Sequence, residues 1–156
     1  MTTGQTLLTL AAIVLLAIIT MGIRSMYLQS VNTSVDAQYT SDALNFGRDL
    51  SERVHRHSGT TENYNNFINT YIDGNCLENF DEDEIDLDSF NNDCKVNYNS
   101  VSGETFIGLI TISPSDEDFD FGVVEQTGRY VNVRVFREKN EEYIFDAKYK
   151  TIITDF

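Results

Sequence analysis

From Thr2 through Ile23 the chain reads TTGQTLLTLAAIVLLAIITMGI, without a single charged side chain. As a helix rising about 1.5 Å per residue, a stretch of this length crosses a hydrocarbon layer of roughly 30 Å. A secretory signal would carry Lys or Arg ahead of its apolar core and small residues at a cleavage site. Here MTTGQ has no basic side chain and no A-x-A pattern follows. The segment is therefore expected to stay with the working protein.

The helical pattern continues past Ile23. Leu28, Val31, Val35, Tyr39, Ala43, Phe46, Leu50 and Val54 recur at three- and four-residue steps, one apolar stripe on an otherwise polar helix. Ser58-Gly59 is the natural stop, since glycine tolerates the left-handed conformation that commonly ends a helix. The spacing thus predicts one helix from about residue 2 to about residue 57, on the order of 80 Å long. Its first half, residues 1–27, is apolar all round and needs lipid or many neighbours. Its second half, residues 28–58, has one dry face and needs a domain to lie on.

A chain of 156 residues suits one domain with an appendage. Lys+Arg 11 against Asp+Glu 25 gives a formal charge of -14, which repels phosphate backbones and excludes nucleic acid as a partner. The hydrophobic share of 41% is concentrated at the N-terminus, so the remainder is polar and expected to face water outside the cell. Cys76 and Cys94 lie in that remainder, at a spacing that matches neither a zinc pattern nor a redox C-x-x-C. A disulfide fits a membrane-translocated domain, worth roughly 3 kcal/mol in the chain-entropy model; two buried free thiols are the alternative.

Residues 59–104 are the least regular. TENYNNFINTYIDG suits a short helix with Tyr64, Phe67, Ile68 and Tyr71 on one face and Asp73-Gly74 closing it. CLENFDEDEIDLDSFNNDC reads as a surface loop tied by the cysteines and pinned by Phe80, Ile85, Leu87 and Phe90. In residues 105–156, Thr105–Ile112, Phe119–Gln126, Arg129–Phe136 and Tyr143–Thr154 are strand candidates. Their connectors, SPSDED, Thr127-Gly128 and REKNEE, have lengths suited to antiparallel hairpins. The alternation in RYVNVRVF predicts one solvated sheet face and one covered by the helix stripe. The expected fold is α+β: a long N-terminal helix packed on a four-stranded antiparallel sheet.

That arrangement, with its disulfide-closed loop, resembles the type IV pilin family, over most of the chain in architecture and most closely in residues 1–28. In the family a short basic leader is removed, and the mature helix carries a glutamate at its fifth position, a proline further along and tyrosines soon beyond. With Met1 as the first mature residue, Gln5 stands in the glutamate's place and Gly22 in the proline's, with Tyr27 following. Cleavage after Gly4 would instead put Thr9 at the glutamate position. The glutamate is thought to pair with a neighbouring subunit's α-amine. Gln5 lacks the charge but accepts a hydrogen bond, and Thr2, Thr3, Thr6 and Thr9 can satisfy its amide.

The positive-inside rule places the Arg24 side of the span in the cytoplasm, opposite to what an external domain requires; a basic leader removed ahead of Met1 would resolve that conflict. The resemblance implies a structural subunit of an extracellular filament; the alternatives are a minor pilin or pseudopilin of a secretion or pilus machine, and a single-span membrane-anchored extracellular binding domain. The filament subunit's partners would be copies of itself, the inner membrane before assembly and the pilus assembly machinery. Met1, Gln5, Leu7, Leu8, Ile13, Leu16 and Ile19 are the expected assembly residues, and Gly22 the point where the helix loosens on assembly.

No catalytic, cofactor or metal site is read from the chain. Hydrolase, kinase, phosphate-loop and dinucleotide signatures do not occur. His55 and His57, two residues apart on a helix, point to nearly opposite sides and cannot grip one metal. The acidic runs FDEDEIDLD and DEDFDFG invite a calcium reading; the second sets Asp116, Asp118 and Asp120 at alternate positions but lacks the glycine offset and terminal glutamate of an EF-hand, and a solvated, negatively charged surface is the expected reading. Asn32-Thr33-Ser34 is a sequon short enough to arise by chance.

Overall fold

A computed structural model describes residues 3–58, 60–78, 87–120, 122, 125–139 and 142–155. Helix α1 covers Thr3–His55, 53 residues. The chain divides into two compact units, Met1–Gln38 and Tyr39–Phe156. In the first, every described residue is exposed, including Leu28, Val31 and Val35 of the predicted stripe. Only from Tyr39 onward does that stripe act as a cover, with Ala43, Phe46, Leu50 and Val54 all buried.

The second unit holds a helix, α2 (Thr61–Asp73), and five strands: β1 (Lys95–Asn99), β2 (Thr105–Ile112), β3 (Glu117–Asp120), β4 (Glu125–Lys139) and β5 (Glu142–Thr154). Thr60 caps α2, accepting from the Asn63 amide at 3.3 Å. The chain leaves α2 through Gly74, and Asn75 rather than the glycine takes the left-handed conformation, at φ 55°. Tyr64, Phe67 and Ile68 are buried, as the periodicity predicts. Gly59, Phe80 and Ile85 lie outside the described residues; Leu87 is buried and Phe90 half-buried, consistent with pinning.

All pairings between these strands are antiparallel. β4 is the hub: β2 and β5 flank it, and β1 pairs with the far edge of β2. Gly128 of β4 faces Glu117 of β3 on one side and Thr154 of β5 on the other, so β3 lies along the same edge of β4 as β2. The expected four-strand meander is therefore corrected at three points. Residues 113–116 are an in-line bulge between two segments that both pair with β4, not a hairpin. Thr127-Gly128 sits inside β4, where a Cβ on Gly128 would run into the Ile153 carbonyl and come within 2.9 Å of Thr154. The true turn lies at Gly122, whose φ of 82° suits glycine. The third connector is where it was expected, between β4 and β5, though the strands run further into it.

One sheet face carries Phe106, Ile110, Ile112, Val131, Val133, Val135, Ala147 and Ile153 against α1 and α2 in a single buried cluster. Gly108 and Gly47 let the layers approach. A Cβ at Gly108 would strike Leu50, and one at Gly47 would strike the Tyr149 ring. The opposite face was expected to be solvated and is not. Ile107, Leu109 and Phe136 are buried there with Leu87 and the cysteines. Cys76–Glu78 run beside the end of β2, Leu77 bridging to Ile112 in parallel, and the chain returns to the sheet through Cys94 into β1. Burial on both faces accounts for the continuous apolar run in β2, TFIGLITI.

Candidate functional site

The first candidate is the exposed apolar surface of residues 3–38. Leu7, Leu8, Ile13, Leu16 and Ile19 are 50–74% exposed. Leu10, Val14, Leu15, Ile18, Met21 and Ile23 are exposed as well, so the apolar surface encircles the helix. Among the described residues this is the one helix long and apolar enough to cross a membrane. Met1 lies outside the described residues.

Of the threonines that could serve the Gln5 amide, Thr2 lies outside the described residues, and Thr6 and Thr9 bond to carbonyls of their own helix. Thr6 Oγ1 donates to the Thr3 carbonyl at 2.9 Å, and Thr9 Oγ1 to the Thr6 carbonyl at 2.9 Å and the Gln5 carbonyl at 3.1 Å. Thr20 and Thr33 donate to Leu16 and Gln29 at 2.8 and 2.9 Å. Each hydroxyl thereby enters an apolar environment already satisfied, which removes a penalty of about 1–3 kcal/mol. α1 passes through Gly22 as α-helix, and nothing lies within 4 Å of where its Cβ would be. No close neighbour in the isolated chain explains the glycine.

The second candidate is the loop from Cys76 to Cys94. The two cysteines form a disulfide with Cα atoms 5.5 Å apart. Beside it lies Glu78, which no periodic pattern announces: a buried carboxylate bonded to Arg134 and Thr111, with Asn132 Nδ2 donating at 3.4 Å. The Arg134 and Glu78 side chains are 3% and 4% exposed. Asn132 and Arg134 of RYVNVRVF thus point to Glu78 and not to solvent. A buried Glu in a polar loop carries no periodic signal, but two polar residues at alternate positions of a strand flanked by valines were a usable clue.

Two further ion pairs tie the unit together. Arg129 Nε donates to Asp116 at 2.6 Å, Tyr64 Oη donates to the same oxygen at 3.0 Å, and Arg129 Nη1 reaches the Ser113 carbonyl at 3.1 Å. The Arg129 hydrogen bond holds the Asp116 carboxyl below its ordinary value, while burial and the neighbouring carboxylate push Tyr64 up to about 12. Arg137 and Asp146 lie 3.4 Å apart, nearly buried, with burial raising Asp146 against the pull of Arg137. Arg137 also sits 4.9 Å from the Tyr39 ring centre.

These groups brace β4 against the segments around it. Among the described residues no cluster of three or more His, Cys, Asp or Glu could hold a metal ion. The two histidines separate as expected. His57 packs on Phe67 with ring centres 5.1 Å apart, and His55 lines a groove with Ser51, Glu52, Arg56 and Thr151. No family model, no curated protein and no solved structure matches the chain.

Proposed function

We propose that the chain is a structural subunit of an extracellular type IV pilus-like filament, held in the cytoplasmic membrane before assembly and not an enzyme. One observation carries this reading: the apolar half of α1 leaves its whole circumference exposed, Leu7 at 70%, Ile13 at 66% and Leu16 at 68%. Lipid covers such a surface in the membrane; packed copies of the same helix cover it in a filament. The self-bonded threonines support the reading because they let the segment lose lipid or water without leaving a hydroxyl bare. Head-to-tail contacts of this kind extend into an open helical array and leave the disulfide-closed domain outside. Gln5 at the subunit N-terminus and Gly22 as the yielding point belong to the same proposal, as do an adhesive or motile role and assembly machinery as partners.

The decisive experiment is electron microscopy of sheared cell-surface material with N-terminal sequencing of its subunits. Filaments containing this chain are the expected result, and its absence from every filament would overturn the proposal. The membrane-crossing length of α1 equally favours a single-span anchored domain. That reading expects one copy per detergent micelle and no sheared filament.

A further inference from the structure

Within residues 3–38 the side chains carry one cation, Arg24, and one anion, Asp36; the acidic excess behind the formal charge of -14 lies beyond them. Both are exposed. They sit 12 residues apart on one continuous helix, a separation of about 18 Å, so they cannot reach each other within a copy. Arg24 makes no ion pair among the described residues.

The turns between these two charges carry an apolar stripe that nothing in residues 3–38 covers. Leu28, Val31 and Val35, at steps of three and four, line one face of α1 and are 52%, 40% and 37% exposed. The other faces of that stretch hold Gln29, Ser30, Asn32, Thr33 and Ser34. A stripe of this kind suits a neighbour on one side. Residues 7–23, whose apolar surface encircles the helix, suit a neighbour on any side.

Copies drawn from one membrane share an orientation, so only their displacement along the helix axis is free. At equal depth they set Arg24 beside Arg24 and Asp36 beside Asp36, like against like. Displaced by 12 residues, Arg24 of one copy comes level with Asp36 of the next, and Leu16, Ile19 and Ile23 come level with Leu28, Val31 and Val35. Residues 3–26 of the first copy then lie beside 15–38 of the second, which keeps most of the apolar surface covered. Asp36 stands about 100° round the helix from Val35, which puts the ion pair on the flank of the apolar contact.

We propose that residues 28–36 of α1 receive the apolar span of a second, parallel copy displaced by about 18 Å, with Arg24 of that copy paired to Asp36. The contact is heterologous: each copy uses residues 16–24 toward one neighbour and 28–36 toward another, so it repeats without closing. It rests on the filament reading and adds the register. A single charged position selects register among apolar helices that otherwise slide, and complementary charge sets register more than final affinity. The same two charges disfavour pairing at equal depth, which keeps copies apart in the membrane until one is displaced.

Charge reversal in the full chain tests the pair. R24E and D36K should each weaken self-association in detergent roughly tenfold, and the two together in one chain should recover it. Both side chains are exposed, so thermal unfolding should stay unchanged. Equal association of wild type and either single variant, or no recovery in the swap, overturns the pair. Loss in R24E with D36K unaffected would assign Arg24 to the membrane interface instead.

A chain carrying M21C and N32C keeps both charges and separates the register from the filament reading. The displacement brings these positions within one residue of level on neighbouring copies, whereas at equal depth they stand 11 residues apart. Short thiol cross-links between copies in sheared filaments are the expected result. Filaments without them refute the register and leave the filament standing. Absence of filaments overturns the filament reading, and the charge swap then decides the pair between two copies.

Discussion

Replacing Glu78 by alanine should cost more stability than any other single change on the loop side of the sheet. The carboxylate is 4% exposed and its partner Arg134 3% exposed, so the guanidinium left behind would be a buried, unpaired charge. Breaking such a pair from one side costs about 3–5 kcal/mol, because desolvation has been met and the compensating charge is gone. Nothing nearby offers relief: Arg134 Nε already lacks a hydrogen-bond partner among the described residues, and Thr111 and Asn132 lose the same acceptor. Against a typical total of about 5–15 kcal/mol, E78A should remove about a fifth of the stability or more. At about 3–5 °C per kcal/mol for a domain of this size, the unfolding midpoint should fall by about 10–20 °C.

The assay is thermal unfolding followed by near-ultraviolet circular dichroism on the full chain in detergent. E78Q keeps an acceptor without the charge and should fall between E78A and wild type. The double variant E78M/R134M removes both charges and should be clearly more stable than E78A alone. An E78A midpoint within about 1 °C of wild type, or a double variant no better than E78A, would refute the buried-pair argument.

Three other outcomes are expected. C76S/C94S should lose roughly 3 kcal/mol in denaturant unfolding yet keep its far-ultraviolet spectrum, because the Glu78 network still holds the start of the loop. Gly108→Ala should cost about 1–3 kcal/mol by overpacking against Leu50 and Phe46, read as a lower denaturant midpoint at unchanged slope. The Tyr64–Asp116–Arg129 triad should shape both limbs of the stability profile. Asp116 has a depressed folded pKa, so its contribution is complete above about pH 4 and lost as pH falls through the folded value. Tyr64 is raised, so its contribution is complete below about pH 10 and lost as pH rises through about 12. D116N should flatten the acid limb and Y64F the alkaline one, both followed by denaturant titration at a series of pH values.

The elements that the sequence announces are those whose apolar pattern is unbroken. The periodicity of Tyr39 through Val54 and the α2 face at Tyr64, Phe67 and Ile68 each answer to one dry face, and the apolar run from Thr105 to Ile112 answers to cover on both of its faces; all three read correctly. The failures share a cause. β4 carries Thr127-Gly128 in its interior, and a turn dipeptide reads as a turn until a neighbouring strand is known to need the missing Cβ. β1, KVNYN, is half polar and lies at a sheet edge, so it has no hydrophobic alternation to give it away. Asn132 and Arg134 look solvent-facing because a strand records only which residues alternate; Glu78, far away in sequence, supplies the partner that makes their burial tolerable. Of the candidate surfaces, the apolar half of α1 was legible throughout, whereas the buried Glu78 network depends on knowing which part of the loop lies over β4.

The central place of β4 also has a consequence for the order in which the chain is made. A ribosome releases α1, α2, β1 and β2 before any of the 15-residue strand that three of the other four strands require. At about 5–20 residues per second, the stretch between Ile112 and Lys139 delays closure by a second to several seconds. Throughout that interval Phe106, Ile110 and Ile112 have no β4 valines beside them, and the β2 edge that faces Val131–Arg137 is unpaired. A nascent chain in this state is sticky along a strand edge. Early engagement of its first apolar helix by a membrane would hold neighbouring copies apart until the hub strand arrives.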